Sequence, residues 1–205
     1  MGVLALALGI VLGFAGSIPA AGPLLFLVLA SGLEGDRRRA LALAAGGALA
    51  ESVYVGLAFW GLAEVFARHE GLTLWFRIAS VVLLAALGAA LLRRKAASSQ
   101  AARARARSFV TGLALVGLNP AFLATWSAVA ALCYGNHWLR PEREHVPWLA
   151  AGAFVGVVAW FAGVAWLAER YRERFRPETL ARVVRGFGAL LIALSGWMLV
   201  SSLLR

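Results

Sequence analysis

Cysteine is almost absent from this chain. Cys133 stands alone, so no internal disulfide can form and no CxxC redox or metal pair exists. Histidine is nearly as scarce: His69, His137 and His145 fall in connections between apolar segments, where solvated loop positions are expected. Charge is thin as well, at 15% of residues, against about 25% in soluble domains, while 61% of the chain is hydrophobic. That imbalance excludes an ordinary soluble domain and points to a membrane protein. The longest polar stretch, Arg93 to Ser108, is too short and too charged to fold alone. A single transmembrane domain over 1–205 is therefore expected.

Acidic residues number ten against twenty Lys and Arg, a formal net charge of +10. The basic residues sit in short runs between apolar segments rather than on one soluble face. This argues against nucleic acid and for contact with a lipid bilayer, whose anionic headgroups suit such runs. The apolar run Val3 to Gly16 could pass for a secretory signal, with Pro19-Ala20-Ala21 as a faint cleavage site. No basic residue precedes it and the apolar stretch resumes after Pro23, so it is expected to be an uncleaved first span.

Six segments approach or exceed the roughly 20 residues that a spanning helix needs. They run from about Val3 to Leu33, Ala40 to Ala63, Leu72 to Leu92, Phe109 to Tyr134, Val146 to Ala168 and Val183 to Leu204. The first and fourth are longer than a crossing requires and contain prolines. Pro19, Gly22 and Pro23 interrupt the first, and Asn119-Pro120 interrupts the fourth. Proline removes a backbone donor and clashes with the preceding turn, so both helices are predicted to break there. In lipid, the carbonyls released must find partners or line a cavity.

Charge placement orients the six spans. Connections one, three and five hold fifteen of the twenty basic residues, including Arg37, Arg38 and Arg39 in the first. The positive-inside rule puts these three connections in the cytoplasm and both termini outside, in a bacterial-type cytoplasmic (inner) membrane. An internal repeat accompanies this bias. Leu43-Ala44-Ala45-Gly46 opens the second segment and Leu149-Ala150-Ala151-Gly152 opens the fifth, while the first and fourth share the proline interruption. The chain divides as three plus three, with repeat one at about 1–95, a basic linker at about 93–108 and repeat two at about 108–205. Three is odd, so the second half is expected to enter the membrane inverted. Inverted repeats with matched broken helices are a transporter architecture. The fold expected is thus all-α, with six spans and the first and fourth broken at prolines.

Glu51 is the one acidic residue deep in a span, about 16 Å beyond Ala40 at 1.5 Å per residue. An ionised carboxylate there costs at least about 2.5–3.5 kcal/mol. It should face water, meet a partner or carry a proton, and these are the states a proton-coupled or cation-binding site needs. A hydrogen bond to a neighbouring helix is the structural alternative. Asn119 is an uncharged donor and acceptor at depth, beside Pro120. Half-helix ends and freed carbonyls at such breaks suit small ions or the charged ends of zwitterions. Gly9 with Gly13, and Gly152 with Gly156, have the GxxxG spacing that allows close helix contact, either within the chain or in a homodimer. An intramembrane enzyme would need a nucleophile and base at depth, and no histidine or second acid accompanies Glu51. No cofactor and no metal site are expected. The Arg-Ala alternation from Arg103 to Arg107 is expected to extend a helix or lie along lipid.

These residues resemble the LysE/RhtB family of amino-acid exporters. The likeness rests on Gly13-Phe14, the Pro19/Gly22-Pro23 cluster, Ser31-Gly32-Leu33, Arg37 to Arg39, an acid in the second span, and Asn119-Pro120 in the fourth. It covers nearly the whole chain. Two departures bear on substrate. Ala20-Ala21 precede Gly22-Pro23 where the family shows a tighter Pro-Gly-Pro, and Ala121 stands where lysine often follows the fourth-span motif. Basic amino acids are therefore not assumed. The resemblance implies secondary export of amino acids or related metabolites, coupled to protons. Its site would involve Pro19, Gly22, Pro23, Glu51, Asn119 and Pro120. An inorganic cation exporter of the same superfamily and a non-transporting scaffold are the alternatives.

Overall fold

The computed structural model describes residues 2–18, 22–61, 101–119, 121–135, 138, 139 and 143–174. It also describes single helical positions at 82, 85, 86, 89, 186, 189, 192, 193, 196, 197 and 200. Among these residues the regular structure is helical and no strand occurs. The helices are α1 (Gly2–Ser17), α2 (Pro23–Leu33), α3 (Arg37–Phe59), α4 (Ala101–Gly117), α5 (Ala121–Gly135) and α6 (Val146–Tyr171). Single 3-10 turns at Arg143–His145 and Arg172–Arg174 flank α6. Most of the expected third and sixth segments, together with Pro19 and Pro120, lie outside the described residues.

Helix ends follow local chemistry. Pro23 occupies the first turn of α2, where a missing N–H leaves no gap in the ladder. At its other end Gly35 takes φ +76°, donating to the Gly32 carbonyl while Asp36 donates to that of Ser31. This paired closure satisfies the last carbonyls of α2. Asp36 then caps α3, its carboxylate accepting from the Arg39 amide at 3.0 Å. The Arg-Ala alternation extends α4 back to Ala101, as one of its two expected forms requires.

The 23 residues of α3 and the 29 from Arg143 to Tyr171 are each long and apolar enough to cross a membrane. The other helices are shorter. At 1.5 Å per residue, α1 and α2 measure about 24 and 16 Å, short of a roughly 30 Å hydrocarbon core. The pair α4 and α5 passes the same test when taken together, bent by 63°.

Glycines set how these pieces pack. A Cβ on Gly9 would strike the Leu149 carbonyl, and one on Gly152 the Leu6 carbonyl. Gly13 lies against Ala153 and Gly156 against Ile10. Numbers rise together on both sides, so α1 and α6 run parallel. Farther along α6, Ala165 and Ala168 meet Gly32 of α2. One unbroken helix thus braces α1 with its first half and α2 with its second.

The arrangement recurs around α3. Gly112 of α4 lies against the Leu43 carbonyl, Gly46 against the Phe109 carbonyl and Gly47 against Val116. Farther along α3, Phe59 meets Tyr134 of α5. So α3 braces α4 and then α5. The two contact sets correspond pair by pair: Leu6/Gly152, Gly9/Leu149 and Gly13/Ala153 match Phe109/Gly46, Gly112/Leu43 and Val116/Gly47. The repeated Leu-Ala-Ala-Gly motifs supply the small residues in both. Both GxxxG pairs are therefore used on each other inside the chain.

One sequence expectation fails. His145 is not a solvated loop residue but is buried, because its 3-10 turn packs under the start of α6 and against α1.

These contacts predict a graded response to Gly→Ala. At Gly9, Gly46, Gly112 or Gly152 the new methyl meets backbone, which cannot yield as a side-chain tip can, so a loss of about 1–3 kcal/mol is expected. At Gly56 and Gly163 nothing lies within 4 Å, and melting temperature in detergent should hold or rise slightly.

Candidate functional site

Glu51 lies on α3 where the brace passes from α4 to α5. It is 4% exposed and is the one buried carboxylate among the described residues. Its Oε1 accepts a hydrogen bond from the indole Nε1 of Trp126 at 3.2 Å. Trp126 sits on α5, is 3% exposed, and is the single hydrogen-bond donor to Glu51 among the described residues. No Arg or Lys there pairs with the carboxylate, since the one ion pair joins Arg39 to Glu34 at 3.2 Å. One neutral donor does not compensate a buried charge.

The ends of short helices surround Glu51. One turn earlier, Gly47 would meet Leu24, the second residue of α2, and Val116 at the end of α4 if it carried a Cβ. Residues four apart share a helix face. The start of α2 and the end of α4 thus converge on the face of α3 that carries Glu51. One turn later, Tyr54 donates its hydroxyl to the Gly117 carbonyl at 2.6 Å. Gly117 is the last residue of α4, and its carbonyl is one that the interruption releases. The Tyr54 ring stacks on Phe122 of α5, centroids 6.4 Å apart and 10° from parallel.

Asn119 bridges the gap between α4 and α5. Its Oδ1 accepts from the Ala121 amide at 3.1 Å and its own amide donates to the Val116 carbonyl at 3.0 Å. The side-chain oxygen therefore serves as a cap for α5. Gly22 stands before α2 in extended conformation, φ −91° and ψ −176°, and supplies no side-chain cap. Ser17, the last residue of α1, is buried and returns its hydroxyl to Gly13 at 2.7 Å.

Of the six residues singled out in the sequence, Glu51, Asn119, Gly22 and Pro23 are described, and Pro19 and Pro120 lie outside the described residues. Gly22 and Pro23 adjoin Leu24 beside Gly47, and Asn119 follows Gly117 beside Tyr54. Sequence reading missed Trp126, Tyr54 and Gly47. Tyr54 was within reach, three residues after Glu51 on one helical face. Trp126 carried a signal too, as a tryptophan in mid-segment rather than near an interface. No cluster of three or more His, Cys, Asp or Glu able to hold a metal occurs among the described residues.

The model of the LysE type translocator family matches residues 17–202. The chain belongs to that family. Its members are transporters rather than enzymes, and family and apolar helices together make this a multi-pass membrane protein that moves small molecules. Neither the search of curated proteins nor that of solved structures returned a match.

The hydrogen bonds around Glu51 predict a stability effect. Tyr54→Phe keeps its ring but strands a buried acceptor and should destabilise by about 1–3 kcal/mol, while Trp126→Phe strands one and also leaves a void where the larger indole was, so it should cost at least as much. Thermal unfolding of the purified variants measures this; unchanged melting in both would mean that neither bond is formed.

Proposed function

We propose that this LysE type translocator is a secondary-active exporter of amino acids or similar small metabolites across the cytoplasmic membrane, coupled to protons. The observation that carries the reading is the buried Glu51 carboxylate, held by one neutral donor where the start of α2 and the end of α4 converge. Such polarity is tolerated at membrane depth where water or cargo reaches it. Glu51 takes the ammonium of the cargo or a coupling proton. Pro19, Gly22 and Pro23 on one side, and Asn119 and Pro120 on the other, form the interruptions that complete the site and its gates.

The architecture we assign is six spans in a 3+3 inverted repeat, with the first and fourth broken at their prolines. The pairwise match between the α1/α6 and α4/α3 contacts supports it. So do the braced pairs, each consisting of two short helices along one long one. The described arginines support the orientation. Arg37, Arg38, Arg39, Arg105, Arg107, Arg170, Arg172 and Arg174 belong to connections one, three and five. Gly35 lies directly against Arg172, which brings connections one and five together. At the opposite end Gly2 lies against Trp148, and Arg143 is the one described arginine there. The arginine-rich end is the cytoplasmic one by the positive-inside rule.

The test is efflux from proteoliposomes loaded with a panel of amino acids, with and without a pH gradient. Wild-type protein should move part of the panel faster with the gradient. Glu51→Gln keeps an oxygen for Trp126 but removes the charge, and should slow export at least about ten-fold, the worth of one charged contact. Equal export by this variant across the panel would remove Glu51 from the mechanism.

A further inference from the structure

A buried donor on α6 is left unused by the fold. The indole Nε1 of Trp160 is buried and has no hydrogen-bond partner among the described residues. Its ring meets Phe14 of α1 edge-on, centroids 5.5 Å apart and 87° between planes. The matched contacts of the two braces give this position its meaning. Leu6/Gly152, Gly9/Leu149 and Gly13/Ala153 correspond to Phe109/Gly46, Gly112/Leu43 and Val116/Gly47. Continued by the same steps, the series pairs Phe14/Trp160 with Gly117/Tyr54.

The two members of that last pair behave differently. Tyr54 gives its hydroxyl proton to the Gly117 carbonyl, at the end of α4. Trp160 stands at the equivalent place near the end of α1, but a phenylalanine replaces the glycine. A ring contact takes the place of the hydrogen bond, and the N–H remains without an acceptor. Leaving a buried donor unpaired is unfavourable, so an acceptor from outside the fold would restore what is lost. No Lys or Arg is buried among the described residues, so the buried groups that these offer an anionic ligand are neutral donors.

We propose that Trp160 is a second cargo contact, its indole N–H donating to the carboxylate of an α-amino acid whose ammonium group is held by Glu51. This rests on the exporter reading above. The two contacts sit on the two bracing helices, Glu51 on α3 and Trp160 on α6, and together they select cargo with a cation at one end and an acceptor at the other. Trp160 is a specificity residue: cargo without the carboxylate does not use it.

Efflux from proteoliposomes tests this with a labelled equimolar mixture of the protein amino acids, competed by the matching decarboxylated amines. Trp160→Phe keeps an aromatic ring beside Phe14 but removes the N–H together with part of the indole, so the comparison of amino acids with amines separates the lost donor from the lost volume. The half-saturating concentration of the amino acids should rise roughly ten-fold with little change in maximal rate, while inhibition by the amines stays as in wild type. An unchanged half-saturating concentration, or an equal loss for amino acids and amines, overturns the assignment. If Trp160→Phe does not fold, the ¹⁵N–¹H indole resonance of Trp160 in the wild-type protein decides. It should move on adding the amino-acid mixture and stay still with the amines; no movement with the mixture overturns the assignment. Failure of wild-type protein to carry any amino acid would instead sink the exporter reading, a separate result.

Discussion

A helix interrupted inside hydrocarbon survives only if something else aligns its pieces and meets the backbone groups it releases. Much of the described structure serves that constraint. The long helices α3 and α6 each run beside two short ones, touching the first through glycines and the second farther along. Small residues are needed because the contacts are backbone to backbone: the Gly46 face abuts the Phe109 carbonyl and the Gly152 face the Leu6 carbonyl. The exposed ends are then closed by individual groups, with the Tyr54 hydroxyl on the Gly117 carbonyl and the Asn119 side chain on the Ala121 amide. What looks like local decoration around the interruptions is the condition for having them.

The same constraint explains where the carboxylate can be. Glu51 belongs to an uninterrupted helix, and its neighbours Gly47 and Tyr54 hold the start of α2 and the end of α4 against the same face. Its one hydrogen-bond donor among the described residues, Trp126, comes from the short helix α5. A tilt of α5 would therefore change what Glu51 meets while leaving Glu51 in place. The carboxylate and its donor thus lie on different elements.

Much of this could be read in the sequence, and the limits have physical causes. Glu51 was visible because lipid penalises charge, so a lone mid-span acid is conspicuous. Pro23 marked the start of α2 because proline suits a helix's first turn, while Pro19 and Pro120, on which the expected breaks also rest, lie outside the described residues. Trp126 was not identified because an indole in an apolar segment reads as packing, and linear order does not say which way α5 is rotated. The GxxxG spacings of Gly9 and Gly152 marked close contact but could not say whether the partner was the same chain or another. His145 was misjudged because a polar connection need not be solvated when its turn packs beneath a helix start. Cargo identity was least legible of all. Ala121 removes the side chain that would have indicated charge preference.

The cross-bracing of the halves also orders events in time. The segment holding α1 and α2 is synthesised first, but the helix that supports it, α6, is completed only at Tyr171. The reverse holds for the second half, since α3 is already present when α4 and α5 emerge. The nascent chain must therefore hold α1 without its packing partner, and α2 against α3 alone, while more than a hundred further residues are made. That interval is when an insertion factor or chaperone has most to shield.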